Sequence, residues 1–318
     1  MSMALVFPGQ GSQAVGMGRA LAGDFAAARA VFDEIDAALG QKLSQLMFGG
    51  PESELTMTAN AQPALMAVSL AALRVLESEA GLNVRRDAAF AAGHSLGEYS
   101  ALAATGALTI AETARLLRLR GEAMQRAVPL GMGAMAALLG LDYETGISVA
   151  QEASAASGEH EICEIANDNG GGQVVASGTK KAVDHAIEIA KGRGARRAML
   201  LSVSAPFHCA LMEPAAKTMQ EALGKVQIVA PKIPVIANVK AHPVTDPDEI
   251  RSALVAQVTG TVRWRESVAF MASRGVDCFL ELGSGKVLTG LLKRIAEGAT
   301  GMAIGTPADI ASYTARAA

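Results

Sequence analysis

Short apolar runs alternate along this chain with stretches of helical periodicity. Met3–Phe7 (MALVF) reads as a buried first strand, closed by Pro8-Gly9. Asn60 to Gly81 reads as a helix, with Pro63 near its first turn, apolar residues at three- and four-residue spacing and Gly81 as its stop. Ala88–Gly93 is a short strand, and a helix is expected from Leu96 onward. Ile110 to Val128 is a long helix whose Arg115, Arg118, Arg120 and Arg126 do not form one clean stripe.

The middle of the chain has a different grain. Gly133–Leu141 is strand-like and Tyr143–Ser157 helical; Glu161–Ala166 and Gln173–Ser177 are strands flanking the turn-rich segment 167–172. Lys180–Lys191 is helical and Arg197–Val203 a strand. The order is β-α-β-β-α-β, the ferredoxin-like split unit. Residues 129–200 are therefore expected to form a small subdomain inserted into a larger α/β domain made of 1–128 and 201–318. The remainder predicts a helix from about Leu211, a strand at Pro234–Asn238, helices near Pro247–Val258 and Arg265–Arg274, a strand at Asp277–Leu282, a helix at Val287–Glu297 and a short strand at Met302–Gly305. Neither a fixed-period repeat nor a low-complexity tract interrupts this order.

Composition narrows the class. The 318 residues are 50% hydrophobic and 19% charged, enough to bury a sizeable core and incompatible with a mainly disordered chain. A net charge of −3 argues against nucleic-acid binding as the main task. The mean hydropathy of +0.27 reflects Ala and Gly, and no apolar run is expected to span a bilayer, which takes roughly 18–20 residues. The opening MSMALVFPGQGSQ shows no export or transit signal. Cys163, Cys209 and Cys278 form no CxxC pair, which suggests a reduced cytoplasmic protein without a structural zinc site.

The chemistry centres on Gly93-His94-Ser95-Leu96-Gly97, a G-x-S-x-G run between a predicted strand and a predicted helix. That context is a nucleophile elbow in an α/β-hydrolase-like domain with a parallel sheet. Two glycines allow the sharp turn, Ser95 is lifted above the sheet, and the following helix offers its N–H groups to an oxyanion. The plain alternative is a serine helix cap. A serine needs a base. His94 is adjacent and expected to point away; His208, in a loop that opens a helix, is the better candidate. His160, His185 and His242 read as surface residues. The acids between Ser95 and His208 fall away from the loop where a triad acid belongs, so a backbone carbonyl or an amide side chain is left to orient the His. Gly9-Gln10-Gly11 lacks the third glycine of a dinucleotide fingerprint.

Several segments together resemble the malonyl-CoA:acyl-carrier-protein transacylase family. They are Phe7-Pro8-Gly9-Gln10-Gly11-Ser12-Gln13, Gly93-His94-Ser95-Leu96-Gly97-Glu98-Tyr99, Arg120-Gly121, Pro206-Phe207-His208, Gln257 ahead of Val262-Arg263-Trp264, and Glu281-Leu282-Gly283-Ser284-Gly285-Lys286-Val287-Leu288. The likeness runs from Phe7 to about Lys293. It implies a ping-pong transfer in which His208 takes the proton of Ser95, Ser95 attacks the malonyl thioester, and an acyl-carrier-protein thiol takes the malonyl group. It also implies an oxyanion hole from the backbone N–H groups of Gln10 and Leu96, a donor typically worth about 3–4 kcal/mol.

The same resemblance puts the His-orienting carbonyl in the Gln257 region, gives Arg120 the substrate carboxylate, and makes Phe207 a ring that crowds an α-methyl branch. Asn167 and Asn169 match a polar turn beside the family's pocket. No metal or organic cofactor is implied, since coenzyme A arrives as part of the substrate. A stand-alone monomer serving fatty-acid or polyketide synthesis is expected. Residues 178–197 carry a net charge of +4, and Lys191, Arg193, Arg196 and Arg197 are expected to steer an acidic carrier protein or coenzyme A. A serine esterase shares Ser95 and His208 but needs neither Arg120 nor a thiol acceptor; a silent scaffold would be expected to lack one of the three.

Overall fold

The computed structural model describes residues 2–317; Met1 and Ala318, the ends of the expected large domain, lie outside the described residues. Among the described residues ten strands form two sheets. The larger sheet has the order β10-β9-β1-β2-β7-β8. Its strands are β1 (Ser2–Phe7), β2 (Ala88–Gly93), β7 (Val235–Ala237), β8 (His242–Val244), β9 (Val276–Leu282) and β10 (Thr300–Ile304). All pairings are parallel except β7 with β8. Strand β8, with Pro243 at its centre, was not expected from the sequence; a three-residue edge strand carries too little pattern to announce itself.

The smaller sheet is antiparallel, in the order β4-β5-β3-β6, from β3 (Gly133–Leu139), β4 (Cys163–Asp168), β5 (Gln173–Thr179) and β6 (Arg197–Leu200). With the helices Tyr143–Ser157 and Lys180–Gly192 this is the ferredoxin-like arrangement, with its own core around Leu138, Val149, Ile165 and Val183. Strand β6 ends at Leu200, short of the expected Val203, and 201–209 becomes a loop. Strand β4 runs on to Asp168 because the segment after Gln257 pairs with it: the Val262 amide donates to the Ala166 carbonyl (2.8 Å) and the Asp168 amide to the Val262 carbonyl (3.0 Å). Arg265 Nε donates to the buried Asp168 carboxylate at 2.7 Å. The small sheet is thereby stitched to the chain segment that carries Gln257.

The helix Thr58–Glu79 runs through the main core and begins two residues earlier than expected, so that Pro63 lies inside it. It is long and apolar enough to cross a membrane by length and composition, against the expectation of no such run, yet 83% of its apolar window is buried in the core. It packs on the helix Ile110–Ala127, which opens with a Thr109–Glu112 capping box. Helices over Arg19–Asp24, Ala26–Leu39, Leu43–Gly49 and Pro307–Ala317 were not foreseen. Glu281, buried at the end of β9, accepts from the Leu288 and Thr289 amides (3.0 and 2.7 Å) and so caps the short helix Val287–Leu292. This gives the Glu281–Leu288 motif a structural job.

Strand β2 ends in the turn that carries Ser95. The His94 amide donates to the Phe7 carbonyl (3.0 Å), holding the ends of β1 and β2 together. A Cβ on Gly93 would stand 1.9 Å from the Gly97 carbonyl, and one on Gly97 would stand 2.3 Å from the Phe7 oxygen. Both obstacles are backbone, so neither can swing aside. Gly97→Ala is expected to cost about 1–3 kcal/mol of stability, measured as a lower urea midpoint with unchanged slope; a midpoint equal to wild type would mean the strand–turn–helix packing is looser than this.

Candidate active site

Ser95 sits at φ 54°, in the left-handed region that non-glycine residues rarely occupy. Three hydrogen bonds hold its backbone and that of Gly93. The Ser95 amide donates to Asn238 Oδ1 (2.7 Å), Asn238 Nδ2 donates to the Gly93 carbonyl (2.7 Å), and Gln257 Nε2 donates to the Ser95 carbonyl (3.0 Å). Asn238 comes from the end of β7 and Gln257 from the last turn of the helix Pro247–Gln257. The elbow is thus fixed by two amide side chains far away in sequence.

His208, itself at φ 58° and buried, faces Ser95 with Nε2 at 2.8 Å from Oγ. Its other nitrogen, Nδ1, lies 2.8 Å from the Gln257 carbonyl. A carbonyl only accepts, so Nδ1 carries the proton of the neutral ring and Nε2 is left as the acceptor for the serine hydroxyl. Burial, with the Arg120 and His94 charges added, pulls the His208 pKa from its ordinary 6.5 down to about 3, against the opposing pull of the Gln257 carbonyl. The ring is therefore neutral at physiological pH, with Nε2 free to accept the serine hydroxyl hydrogen bond. The orienting group is a main-chain carbonyl, which is why no acid stood out in the sequence.

Arg120 is buried beside them, at 1% exposure. Its NH1 donates to Gln62 Oε1 (2.9 Å) and its NH2 to Gln257 Oε1 (2.9 Å) and Ser95 Oγ (3.2 Å). All these partners are neutral, Nε has no hydrogen-bond partner, and the guanidinium lies 5.7 Å from the Tyr99 ring centroid. Burial lowers its pKa, with Tyr99 and Glu98 opposing. A cavity of about 350 Å³ opens onto Ser95, His208 and Arg120 and is also lined by Gln10, Leu96 and Phe207. Asn167 borders it, whereas Asn169 reaches it only through His94, whose Nε2 lies 2.9 Å from Asn169 Oδ1. Burial lowers the His94 pKa, Asn169 opposing.

A family model described as the acyl transferase domain matches residues 4–306. The chain belongs to the acyl transferase domain family. It is 45% identical over 308 residues to the malonyl CoA-acyl carrier protein transacylase of Bacillus subtilis, covering 97% of this chain and 95% of that one. The solved acyl-carrier-protein-S-malonyltransferase of Bartonella henselae superimposes with a TM-score of 0.95 at 53% identity, covering 100% of this chain and 99% of that one. A malonyl-transacylase solved in complex with a type II polyketide-synthase acyl-carrier protein superimposes with a TM-score of 0.94 at 41% identity, covering 99% of this chain and 100% of that one.

The acyltransferase elbow leaves two amides free. Among the described residues no protein acceptor takes the backbone N–H of Gln10 or Leu96, and both residues border the cavity. Gln10 is held by its side chain, which donates to Thr58 Oγ1 (3.2 Å); Thr58 in turn meets Ser204 Oγ at 2.8 Å. Of the expected surface histidines, His160 and His242 are exposed, but His185 is half-buried with Nδ1 2.8 Å from Ser157 Oγ. Among the described residues no group of three or more His, Cys, Asp or Glu could hold a metal ion. Sequence reasoning passed over Gln62, Asn238 and Glu98 as chemistry. Their signal was a polar side chain in an otherwise apolar element, which says that a partner exists without saying which.

His208 links the site to stability. Between pH 3 and 6.5 the unfolded chain holds a proton that the folded chain refuses, so this group makes stability rise with pH across that window. Glu98 does the reverse between 4.5 and 7, because burial raises it to about 7. His208→Gln removes only the first contribution. In urea unfolding at several pH values, wild type is expected to lose up to about 1.4 kcal/mol of stability relative to this variant for each pH unit below 6.5; a difference flat with pH would sink the neutral-ring assignment.

Proposed function

We propose that this chain transfers a malonyl group from malonyl-CoA to the phosphopantetheine thiol of an acyl carrier protein, through a malonyl ester on Ser95. The observation that carries this reading is Arg120: a buried cation beside a serine nucleophile, held only by neutral groups and with a free Nε–H. An uncompensated buried charge is costly, and a substrate carboxylate in the cavity would relieve it with a pair of guanidinium hydrogen bonds. An esterase for uncharged acyl groups has no use for it.

In the forward half-reaction His208 Nε2 accepts the Oγ proton as Ser95 Oγ bonds to the thioester carbon. The resulting imidazolium is stabilised by the Gln257 carbonyl on Nδ1. The oxyanion sits on the Gln10 and Leu96 amides, which are formed before substrate arrives. The C–S bond breaks, and His208 returns its proton to the departing coenzyme A thiolate. In the second half-reaction His208 takes the proton of the carrier thiol, the thiolate attacks the ester, and Ser95 recovers its proton. Phe207 walls the cavity where an α-methyl branch would go, a preference worth about 1–3 kcal/mol.

The site calls for no metal or organic cofactor, and the three free thiols suit a cytoplasmic protein. For the carrier protein, the basic stretch narrows to fewer residues. Lys180 pairs with Asp184, Lys191 with Glu188 and Arg193 with Glu152, while Lys181 donates to the Ser157 carbonyl; among the described residues Arg196 and Arg197 have neither an acidic partner within 4 Å nor a side-chain hydrogen bond. The apolar Met199 and Leu200 are exposed on the adjoining strand. This strip, built on the small subdomain of residues 129–200, is where an acidic carrier protein would be steered.

Brief mixing with malonyl-CoA alone is expected to add one malonyl mass to wild type and none to Ser95→Ala, with discharge on adding holo carrier protein. Arg120→Ala is expected to lose malonylation by about 100-fold or more and to accept uncharged acyl groups. Free malonate accumulating without adduct would instead mark a hydrolase. Charge reversal at Arg196 and Arg197 should raise the carrier-protein KM at low salt and leave the malonylation rate untouched; an unchanged KM removes these two from the docking surface.

A further inference from the structure

We propose that Glu98 is a positioning residue of the transfer site: its buried carboxylate locks the Gln257 amide in one orientation and thereby aims Arg120 at the substrate carboxylate. The proposal rests on the malonyl reading above. Glu98 is 2% exposed and does not border the cavity, so it touches neither substrate nor reacting atoms. Its Oε2 accepts from Gln257 Nε2 (2.8 Å) and from the Asn238 backbone amide (2.9 Å).

The first contact decides which way the Gln257 amide points. An amide has a donor end and an acceptor end. With Nε2 toward the Glu98 carboxylate and the Ser95 carbonyl, Oε1 faces Arg120 NH2 at 2.9 Å. Reversing the amide would set its oxygen against two acceptors and its N–H groups against a guanidinium. The negative charge on Glu98 therefore enforces the orientation that holds Arg120, with one amide side chain standing between the two charges. The second contact reaches the elbow, because Asn238 uses its side chain to bracket Ser95 and Gly93. One carboxylate thus steadies both the carboxylate-binding arginine and the strained nucleophile turn.

The charged and titratable groups facing Glu98 are Arg120 across the core and Tyr99 beside it on the same helix; the strand β7 side and the helix ending at Gln257 offer only amides. Burial raises Glu98 to about 7, with the two N–H donors and Arg120 opposing. Below that pH the protonated carboxyl no longer commands two donors, and the Gln257 amide loosens. Since His208 stays neutral down to about pH 3, an activity limb near neutral pH belongs to Glu98 rather than to the base.

The test compares wild type, Glu98→Gln, Gln257→Met and the double variant in malonyl transfer from about pH 5.5 to 8.5. Wild-type kcat/KM is expected to rise through a limb near pH 7 that Glu98→Gln lacks. Glu98→Gln is expected to raise the KM for malonyl-CoA about tenfold, the scale of one hydrogen bond to a charged group. The double variant should match Gln257→Met, because Glu98 acts on KM through that amide. A wild-type profile without the limb, a Glu98→Gln variant with wild-type KM, or additive effects on KM would each overturn the proposal. If Glu98→Gln does not fold, the limb in wild type and its loss in Gln257→Met decide the matter. Intact mass after malonyl-CoA mixing runs alongside. Should wild type take no malonyl group, the malonyl reading fails by itself, and the Glu98 assignment is read instead on its contact with the Ser95 turn through Asn238, where Ser95 acylation by p-nitrophenyl acetate without a limb near pH 7 overturns it.

Discussion

A guanidinium stripped of water and set 3.2 Å from a serine hydroxyl is the arrangement around which the other residues of this site are placed. Its desolvation is worth several kcal/mol, and the usual remedy would be a carboxylate in direct contact. The chain declines that remedy. It offers Arg120 the oxygens of Gln62 and Gln257 and the face of Tyr99, which orient the cation without neutralising it. The nearest negative charge, Glu98, reaches it only through the Gln257 amide. A direct ion pair would be more stable and would leave nothing to bind an anionic acyl group.

The same economy governs His208. His208 needs a partner that fixes the ring without drawing it into the charged state at rest, and the Gln257 carbonyl does that. A carboxylate in that place would raise the pKa of the ring and stand close to Arg120, competing with the substrate for it. Gln257 therefore serves twice, its backbone toward the base and its side chain toward the cation. Because Val262, five residues further on, is paired with β4, the small sheet anchors the segment that leads from Gln257. The inserted unit is thus coupled mechanically to His208 as well as walling the cavity.

The elbow itself is a problem of close approach. Three backbone segments, from the ends of β1, β2 and the helix opening at Gly97, meet at distances that exclude any side chain at Gly93 and Gly97. The left-handed Ser95 that results is held by Asn238 and Gln257, from elements more than 140 residues away in sequence. Local geometry creates the strain, and tertiary contacts hold it in place.

Much of this was legible in the chain alone. The alternation of apolar runs and helical stretches carried the two-sheet architecture, because strand and helix periods are local properties of a few residues. Ser95, His208 and Arg120 stood out because a glycine-flanked turn, a loop histidine and the motif around each are contiguous signals. What stayed hidden were relations rather than residues. That the His208 partner is a carbonyl cannot be read from side-chain identity, since every residue has one. Glu98 sat in plain view three positions from Ser95, yet only the folded core shows that its carboxylate faces Gln257 and Asn238. Likewise Arg120 reads as one of four arginines on a helix until the fold buries it among neutral groups. The sequence by itself determined which chemistry is available and on which turns it sits, because those depend on neighbours along the chain. Burial, the direction of each hydrogen bond and the pKa values that follow were decided only by the tertiary structure, because they depend on neighbours across it.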